Sequence, residues 1–303
     1  MFSKIQNMQD VIFIFTKERP LYLVKSIEKI DKIKYKIHII DDSYTFEAIK
    51  QNKLVANSIS NLIYLGKSEY KKFYNVRNSI DFGSQSWNLG NCRNFALDYA
   101  KINNYNKVLF CDDDITVEKP QDYDYGFKIL KDNFVSYNLS GMKDDSIIGH
   151  IATSLNVVDD DKFLSGGFLY FEPQKIKHRF LNIYNEDWIL QMIESDKKIV
   201  LSEKKVFHAK FDPFQNYKQK ILFQEYGEIF VSGLFKKELN IDPSNEHFWN
   251  TVIEERKNYI NFIDDLAIRN KQHKLSEIIK YLKANYYIYK PVFFKTLYLK
   301  LKS

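Results

Sequence analysis

Asp112, Asp113 and Asp114 stand side by side directly after a short apolar run, Val108–Cys111. Adjacent carboxylates repel one another, and a packed interior offers nothing that favours three of them together. A divalent cation relieves the repulsion, and hard cations take oxygen ligands. If the cation also holds a diphosphate, the triplet becomes the leaving-group end of a transfer site. Taken alone, the triplet is equally readable as an acidic turn that ends a strand. Other groups that carry chemistry lie elsewhere in the chain: Thr16 and Arg19, Asp41-Asp42, Arg93-Asn94, Gly166-Gly167, Glu186-Asp187-Trp188 and His208. Each has an ordinary structural reading. Asp41 and Asp42 can cap a turn or helix, Arg93 can face water from an amphipathic helix, and Glu186 and Asp187 suit a helix N-terminus. His208 can be a core or surface histidine, and the paired glycines a tight bend or a close approach of backbone to another group.

These residues need elements to bring them together. Val11–Phe15 is an unbroken β-branched and aromatic run, as expected of a strand buried on both faces of a parallel sheet. It ends in Thr16-Lys17-Glu18-Arg19-Pro20, and Pro20 suits the first turn of a helix that carries Leu23, Val24, Ile27 and Ile30. Lys36–Ile40 supplies a second strand running into Asp41. Strand, helix and strand within about thirty residues form a βαβ unit. Its right-handed crossover puts both carboxyl ends, and so Thr16, Arg19 and Asp41, on one edge. A helix is expected over Glu47–Ser58, a strand over Asn61–Leu65, and an unassigned loop over 67–87. Asn88–Ala100 reads as a helix entered through Gly90, with Arg93 and Asn94 in its first turns.

Further along, a strand is expected at Ile147–Ile151 and an aromatic strand after Gly166-Gly167. Helices are expected over Ile176–Asn182 and Trp188–Ile193, and two short strands over Lys198–Leu201 and Val206–His208. Near residue 235 the character changes to helices with interleaved charge, Ser244–Leu266 with Ser244 as N-cap, Lys274–Tyr287 and a closing Pro291–Lys300 segment. The domain reading is therefore 1–235 followed by a helical region, 236–303. The tail sets Tyr287, Tyr289, Phe293 and Phe294 among Lys290, Lys295, Lys300 and Lys302. Such a segment either packs its aromatics on a fold or lies on an anionic membrane surface.

A chain of 303 residues holds one large α/β domain with an appendage. A net charge of +6 does not force a nucleic-acid reading. Cys92 and Cys111 are the only cysteines, too few for a disulfide framework or a zinc-ligand spacing, which fits a reducing cytosol. No segment resembles a signal peptide or reaches the roughly twenty apolar residues of a membrane span. The expected location is cytoplasmic, including a peripheral position on the inner face of the cell membrane.

The order Val11–Pro20, Ile39–Ser43, Gly90–Ala96, Cys111–Ile115, Phe163–Phe168 and Glu186-Asp187-Trp188 resembles the GT-A glycosyltransferases, in particular the family-2-like bacterial sugar transferases. The resemblance covers about residues 10–210. It implies a mixed, mostly parallel central sheet flanked by helices, with a helical appendage at the C-terminus. By the same resemblance, Thr16, Arg19 and Asp41 border the nucleotide pocket, and Arg93 and Asn94 lie on the donor-side helix. Asp112 and Asp114 form the ends of a DXD motif, with Asp113 sharing either role. Asp114 and His208 would hold Mn²⁺ or Mg²⁺. Asp187 would be the base, with Glu186, Trp188, Gly166 and Gly167 on the acceptor side. The implied reaction is metal-dependent, inverting transfer from a nucleotide-sugar, a UDP-sugar first, to a glycan or lipid-linked hydroxyl in envelope or capsule polysaccharide assembly. The run after Trp188, Leu190-Gln191-Met192, carries no arginine, which speaks against a processive synthase. A nucleotidyltransferase is the alternative enzyme, although Thr16–Pro20 lacks the glycines of its phosphate loop. A non-catalytic carbohydrate-binding protein on the same fold is the third reading.

Overall fold

In the computed structural model the first unbroken apolar run is β1 (Val11–Thr16), and its first four residues are wholly buried. The structure describes residues 10–32, 34–69, 88–141, 143, 145–157, 166–194, 196–236 and 242–302. The loop expected over 67–87 lies outside them from residue 70 onwards. The chain divides into two units. The first comprises Met1–Met142, Phe163–Asn182 and Glu194–Lys210; the second comprises Lys143–Lys162, Ile183–Ile193 and Phe211–Ser303.

The first unit is built on an eight-stranded mixed sheet in the order β3-β2-β1-β4-β7-β6-β8-β5. Four neighbouring strands run parallel, β1, β2 (Lys36–Asp41), β3 (Leu62–Gly66) and β4 (Val108–Asp112). The rest is β5 (Ile115–Val117), β6 (Phe134–Gly141), β7 (Phe168–Phe171) and β8 (Ile199–His208), of which β6 and β8 also pair in parallel. Register places Thr16 beside Asp41, Phe15 beside Asp112 and Asp41 beside Gly66. The carboxyl ends of four parallel strands thus form one edge. Strand order reverses between β1 and β4, the point at which open α/β sheets form a crevice.

Helices of this unit cover the sheet with the faces their sequences provide. Pro20 opens α1 (Pro20–Glu28), which buries Leu23, Ser26 and Ile27. Thr45 caps α2 (Phe46–Asn57). In α3 (Leu89–Ile102), Phe95, Ala96, Leu97 and Ala100 are buried, and Gly90 has a reason to be glycine. A Cβ there would stand 2.2 Å from the Leu181 carbonyl oxygen. A short α4 (Asp122–Ile129) buries Tyr123 and Phe127 in the same core.

Several sequence expectations are corrected. Ile147–Ile151 is helical, within α5 (Ile147–Ser154), where Ser146 caps the first turn by accepting from Gly149 N. A β-branched run misread as a strand is overridden by that cap. Ile176–Asn182 is irregular backbone, held by side chains: Glu194 accepts from the Lys177 and His178 amides, and Asn94 pairs with Phe180. The two short strands around 198–208 are one, β8. Its helix-side neighbour in sequence is α6 (Glu186–Ile193). Asn245, not Ser244, caps α8 (Glu246–Arg269), accepting from His247 N at 2.9 Å.

The second unit is helical: α5, α6, α7 (Tyr217–Phe235), α8, α9 (His273–Asn285) and α10 (Pro291–Lys302). Nothing in the sequence analysis anticipated α7. Its core centres on fully buried Trp249, stacked on Phe230 and Phe294 with centroids 5.3 and 5.6 Å away. The Trp249 indole donates to the Pro243 carbonyl at 2.7 Å, and Gly233 leaves the ring its space.

Candidate active site

The carboxylate triplet follows β4 without interruption and is fixed by its backbone. Asp112 N donates to the Gly167 carbonyl, Asp113 N to the Phe15 carbonyl, and Ala209 N to the Asp114 carbonyl. These three bonds explain how distant segments meet. Gly166 and Gly167 lead into β7, antiparallel to β4, so Gly167 continues that ladder past Cys111. His208 ends β8 and pairs in register with Ile115, the residue after Asp114. The imidazole of His208 therefore comes to Asp114, with Nε2 3.8 Å from Oδ2.

Two arginines neutralise the triplet in different ways. Arg19 reaches both Asp113 Oδ1 and Asp114 Oδ2 at 2.5 Å, and its side chain is 41% exposed. Arg93 stands 3.5 Å from Asp112 Oδ1 but is only 3% exposed. Its guanidinium lies 5.8 Å from the Phe15 ring and 6.0 Å from the Phe180 ring. The first arginine can leave its carboxylates for water; the second is walled in by aromatic rings. Thr16 Oγ1 donates to Asp113 Oδ2 at 2.6 Å. Burial pushes Asp112 and Asp113 above the usual carboxylate range, and Arg93 and Arg19 respectively pull them back. Burial also raises the Cys111 thiol, so no reactive thiolate stands beneath the site.

Along the same edge, Asp41 is held on every side. Its carboxylate accepts from Ser43 N at 2.8 Å, Asn52 Nδ2 at 3.0 Å and Tyr64 Oη at 2.7 Å. Asp42 pairs with Lys17 and Lys67, each at 3.3 Å, and accepts from Asn88 Nδ2 at 2.9 Å. The turn that presents Arg19 is anchored too. Glu18 adopts a left-handed φ of 57°, and its carboxylate accepts from the Tyr44 and Thr45 amides and the Thr45 hydroxyl. Asn52, Tyr64, Lys17, Lys67 and Asn88 were not singled out from sequence, where they carry no motif. Asn94 is brought to the edge by α3 but gives both ends of its amide to the Phe180 backbone, at 2.7 and 2.9 Å. Thr16, Arg19, Asp41, Arg93, Asn94, the triplet, Gly166, Gly167 and His208 all belong to the first unit. Glu186, Asp187 and Trp188 open α6 in the second, with Glu186 and Asp187 buried.

The donor chemistry suits a divalent cation. His208 Nδ1 lies 2.9 Å from the Ala209 carbonyl, which only accepts, so this nitrogen carries the hydrogen. A neutral ring so held keeps its lone pair on Nε2, towards Asp114, as a backbone-oriented metal ligand does. The 3.8 Å between Nε2 and Oδ2 is less than twice a bond of about 2.1 Å to Mg²⁺, so one ion can touch both. Carboxylate and imidazole are acceptable ligands for Mn²⁺. Among the described residues no three His, Cys, Asp or Glu side chains converge as a complete cage.

Residues 11–128 match the family described as glycosyl transferase family 8. That stretch runs from β1 to all but the last residue of α4 and holds the whole triplet. The chain is a glycosyltransferase. Family 8, where the sequence analysis expected a family-2-like group, is the family that matches. No curated protein matches the chain. Among solved structures, glucosyl-3-phosphoglycerate synthase from Mycobacterium tuberculosis in complex with Mn²⁺, uridine diphosphate and phosphoglyceric acid is 12% identical. The match covers 78% of this chain and 80% of that one, with a TM-score of 0.51. The same synthase with Mg²⁺ and uridine diphosphate is 11% identical over 74% of this chain and 78% of that one, with a TM-score of 0.50. A mannosyltransferase from Pyrobaculum calidifontis, in complex with GDP-mannose and Mn²⁺, is 12% identical over 91% and 85% of the chains, with a TM-score of 0.48. The likeness to the synthase establishes the GT-A fold of this glycosyltransferase, with its mixed sheet flanked by helices.

Proposed function

We propose that this glycosyltransferase moves a sugar from a nucleoside diphosphate donor, a UDP-sugar first, to a hydroxyl of a glycan or lipid-linked acceptor. The reading places it in assembly of bacterial envelope or capsule polysaccharide. The observation that carries it is the approach of the His208 lone pair to Asp114 at the carboxyl edge of the sheet. Asp114 and His208 would hold Mn²⁺ or Mg²⁺, which supplies a Lewis acid for the departing diphosphate. The synthase of similar fold is described with Mn²⁺ or Mg²⁺ and uridine diphosphate, which supports that choice. Asp112 faces the ribose, and Asp113, held by Thr16, keeps Arg19 at the anionic end of the donor. Asp41 and the turn of Thr16 to Arg19 border the base and ribose. Arg93 and Asn94 hold the donor-side helix in place, and Gly166 and Gly167 let the acceptor approach the backbone. Asp187 takes the proton of the attacking hydroxyl, whose own pKa is far too high for unaided ionisation. Glu186 and Trp188 flank it on the acceptor side. A carboxylate base of this kind implies inversion at the anomeric carbon.

The test is Mn²⁺ binding followed by electron paramagnetic resonance, together with thermal shifts against UDP-, GDP-, CMP- and dTDP-sugars. Asp114→Ala is expected to abolish the Mn²⁺-dependent part of donor binding, and His208→Ala to weaken Mn²⁺ by about tenfold or more. Nucleoside diphosphate released from the preferred donor supports the transferase. Pyrophosphate released from a nucleoside triphosphate and a sugar phosphate would support the nucleotidyltransferase instead. A product of retained anomeric configuration would remove Asp187 as the base.

A further inference from the structure

The helix that carries Asp187 begins abruptly. Asn185, with a left-handed φ of 63°, turns the chain, and its carbonyl accepts from Ile189 N in the first turn of α6 at 3.0 Å. Asn185 thereby sets where the first turn of α6, and with it Asp187, begins. Tyr184 and Asn185 both meet α7. Gly227 lies so close that a Cβ would stand 2.1 Å from the Tyr184 carbonyl oxygen. The next residue of α7 is Glu228, whose Oε1 accepts from Asn185 Nδ2 at 3.1 Å. The other oxygen of Glu228 is held by Arg256 of α8 at 3.2 Å.

Arg256 also grips Glu225, through Nε at 2.7 Å and a second nitrogen at 3.3 Å. Glu225 is 1% exposed, so a carboxylate there requires the arginine. The forked guanidinium thus serves two carboxylates one helical turn apart, and only one of them touches Asn185. An arginine whose sole task was to neutralise Glu225 would not need the second contact. Aromatic packing keeps α7 and its partners in register: Tyr289 donates to the Leu222 carbonyl at 2.9 Å, and its ring lies 4.8 Å from Tyr226.

We infer that Arg256, acting through Glu228 and Asn185, is a positioning residue for Asp187, and that aligning the acceptor-side helix is the task of α7 and α8. The inference rests on Asp187 being the base. It assigns a catalytic purpose to α8, which lies beyond residue 235. Removing the Asn185 amide should let α6 start from a looser turn, and misplacement of a reacting group by about 1 Å costs on the order of a hundredfold in rate. Donor affinity, which depends on the first unit, should not change.

The decisive experiment uses the full chain and follows release of nucleotide, with water as acceptor, from whichever of the four nucleotide-sugars shifts Tm most with Mn²⁺. Three variants are compared with wild type. Asn185→Gly keeps the left-handed turn and removes only the amide. Glu228→Gln keeps the shape and removes the charge. Asp187→Asn tests the base itself. Expected are a kcat lowered about tenfold or more in Asn185→Gly and Glu228→Gln, a donor Kd within about twofold of wild type, and a displaced acidic limb in the pH–rate profile. Arg256→Lys, which keeps charge but loses the fork, should resemble Glu228→Gln. If Asp187→Asn is inactive while Asn185→Gly and Glu228→Gln keep wild-type kcat and pH profile, the inference is wrong and the base stands. Full activity in Asp187→Asn would instead overturn the base, and the inference with it.

Discussion

At the scale of single residues, the two arginines on the triplet have opposite characters. Arg93 is enclosed by Phe15 and Phe180 and is part of the wall. Arg19 is exposed enough to move, yet its guanidinium contacts the same Asp114 oxygen that faces His208. A monovalent side-chain cation and a divalent ion cannot both occupy that oxygen at bonding distance. Arg19→Ala should therefore bind Mn²⁺ more tightly in the absence of nucleotide, by about twofold to fivefold, the scale of an exposed ion pair. The same variant should bind the nucleotide-sugar more weakly, because a cation at the anionic end of the donor is gone. Titrating Mn²⁺ against wild type and variant, first alone and then with uridine diphosphate, separates the two effects. Weaker Mn²⁺ binding in the variant without nucleotide would show that Arg19 does not compete for Asp114. The triplet, Arg19 and His208 were readable from the chain as residue types. Residue types alone did not show that they meet, and only the family resemblance put Asp114 and His208 on one ion, because the meeting depends on β8 pairing with β5, which is set by register between segments about ninety residues apart.

At the scale of elements, the parallel half of the sheet was legible because its strands are buried on both faces and so read as unbroken apolar runs. The misreadings fell where a side chain decides the backbone. Ile147–Ser154 carries a β-branched sequence, but the Ser146 cap and the burial of one face make it a helix. The segment 176–182 was expected to be helical, yet its Lys177, His178 and Phe180 amides bond to Glu194 and Asn94 in place of a helical ladder. β8 reads as two fragments because charged Glu203, Lys204 and Lys205 interrupt its apolar ends. Gly90 is the element-scale residue with the most at stake, since it lets α3 lie against Leu181 and thereby seats Arg93 and Asn94. Gly90→Ala should lower stability by about 1–3 kcal/mol, the cost of forcing a methyl group into a filled space. Denaturant titration should show a lower midpoint with an unchanged slope. Donor affinity should fall in the same variant, because Arg93 moves with the helix. A midpoint equal to wild type would mean that the backbone at 181–182 yields freely.

At the scale of the whole molecule, composition pointed to a domain followed by a helical appendage, with the change of character near residue 235. The folded chain groups the later helices with 143–162 and 183–193, stretches whose membership no local pattern signals. Tail aromatics have a structural occupation: Tyr289, Phe294 and Tyr298 are buried, and Phe294 stacks on Trp249. Tyr287, Val292 and Leu299 remain exposed beside the lysines. Among the described residues no helix is long and apolar enough to cross a membrane. A chain ending at residue 235 would keep Glu225 and Glu228 but lose Arg256, and breaking a buried pair in this way costs about 3–5 kcal/mol. It would also expose Phe230 by removing Trp249, an aromatic deletion that itself costs about 3–5 kcal/mol. The second unit has no comparable reserve, because its core is assembled around that ring. The truncated chain should therefore unfold with a smaller denaturant slope than the full protein and bind a hydrophobic dye before the transition. Trp249→Ala in the full-length chain should show a lowered midpoint without the loss of slope. If the truncated chain melted cooperatively with the slope expected for all 235 residues and bound no dye, α7 and α6 would be stable without α8 to α10. The placing of Asp187 by Arg256 would then need another explanation.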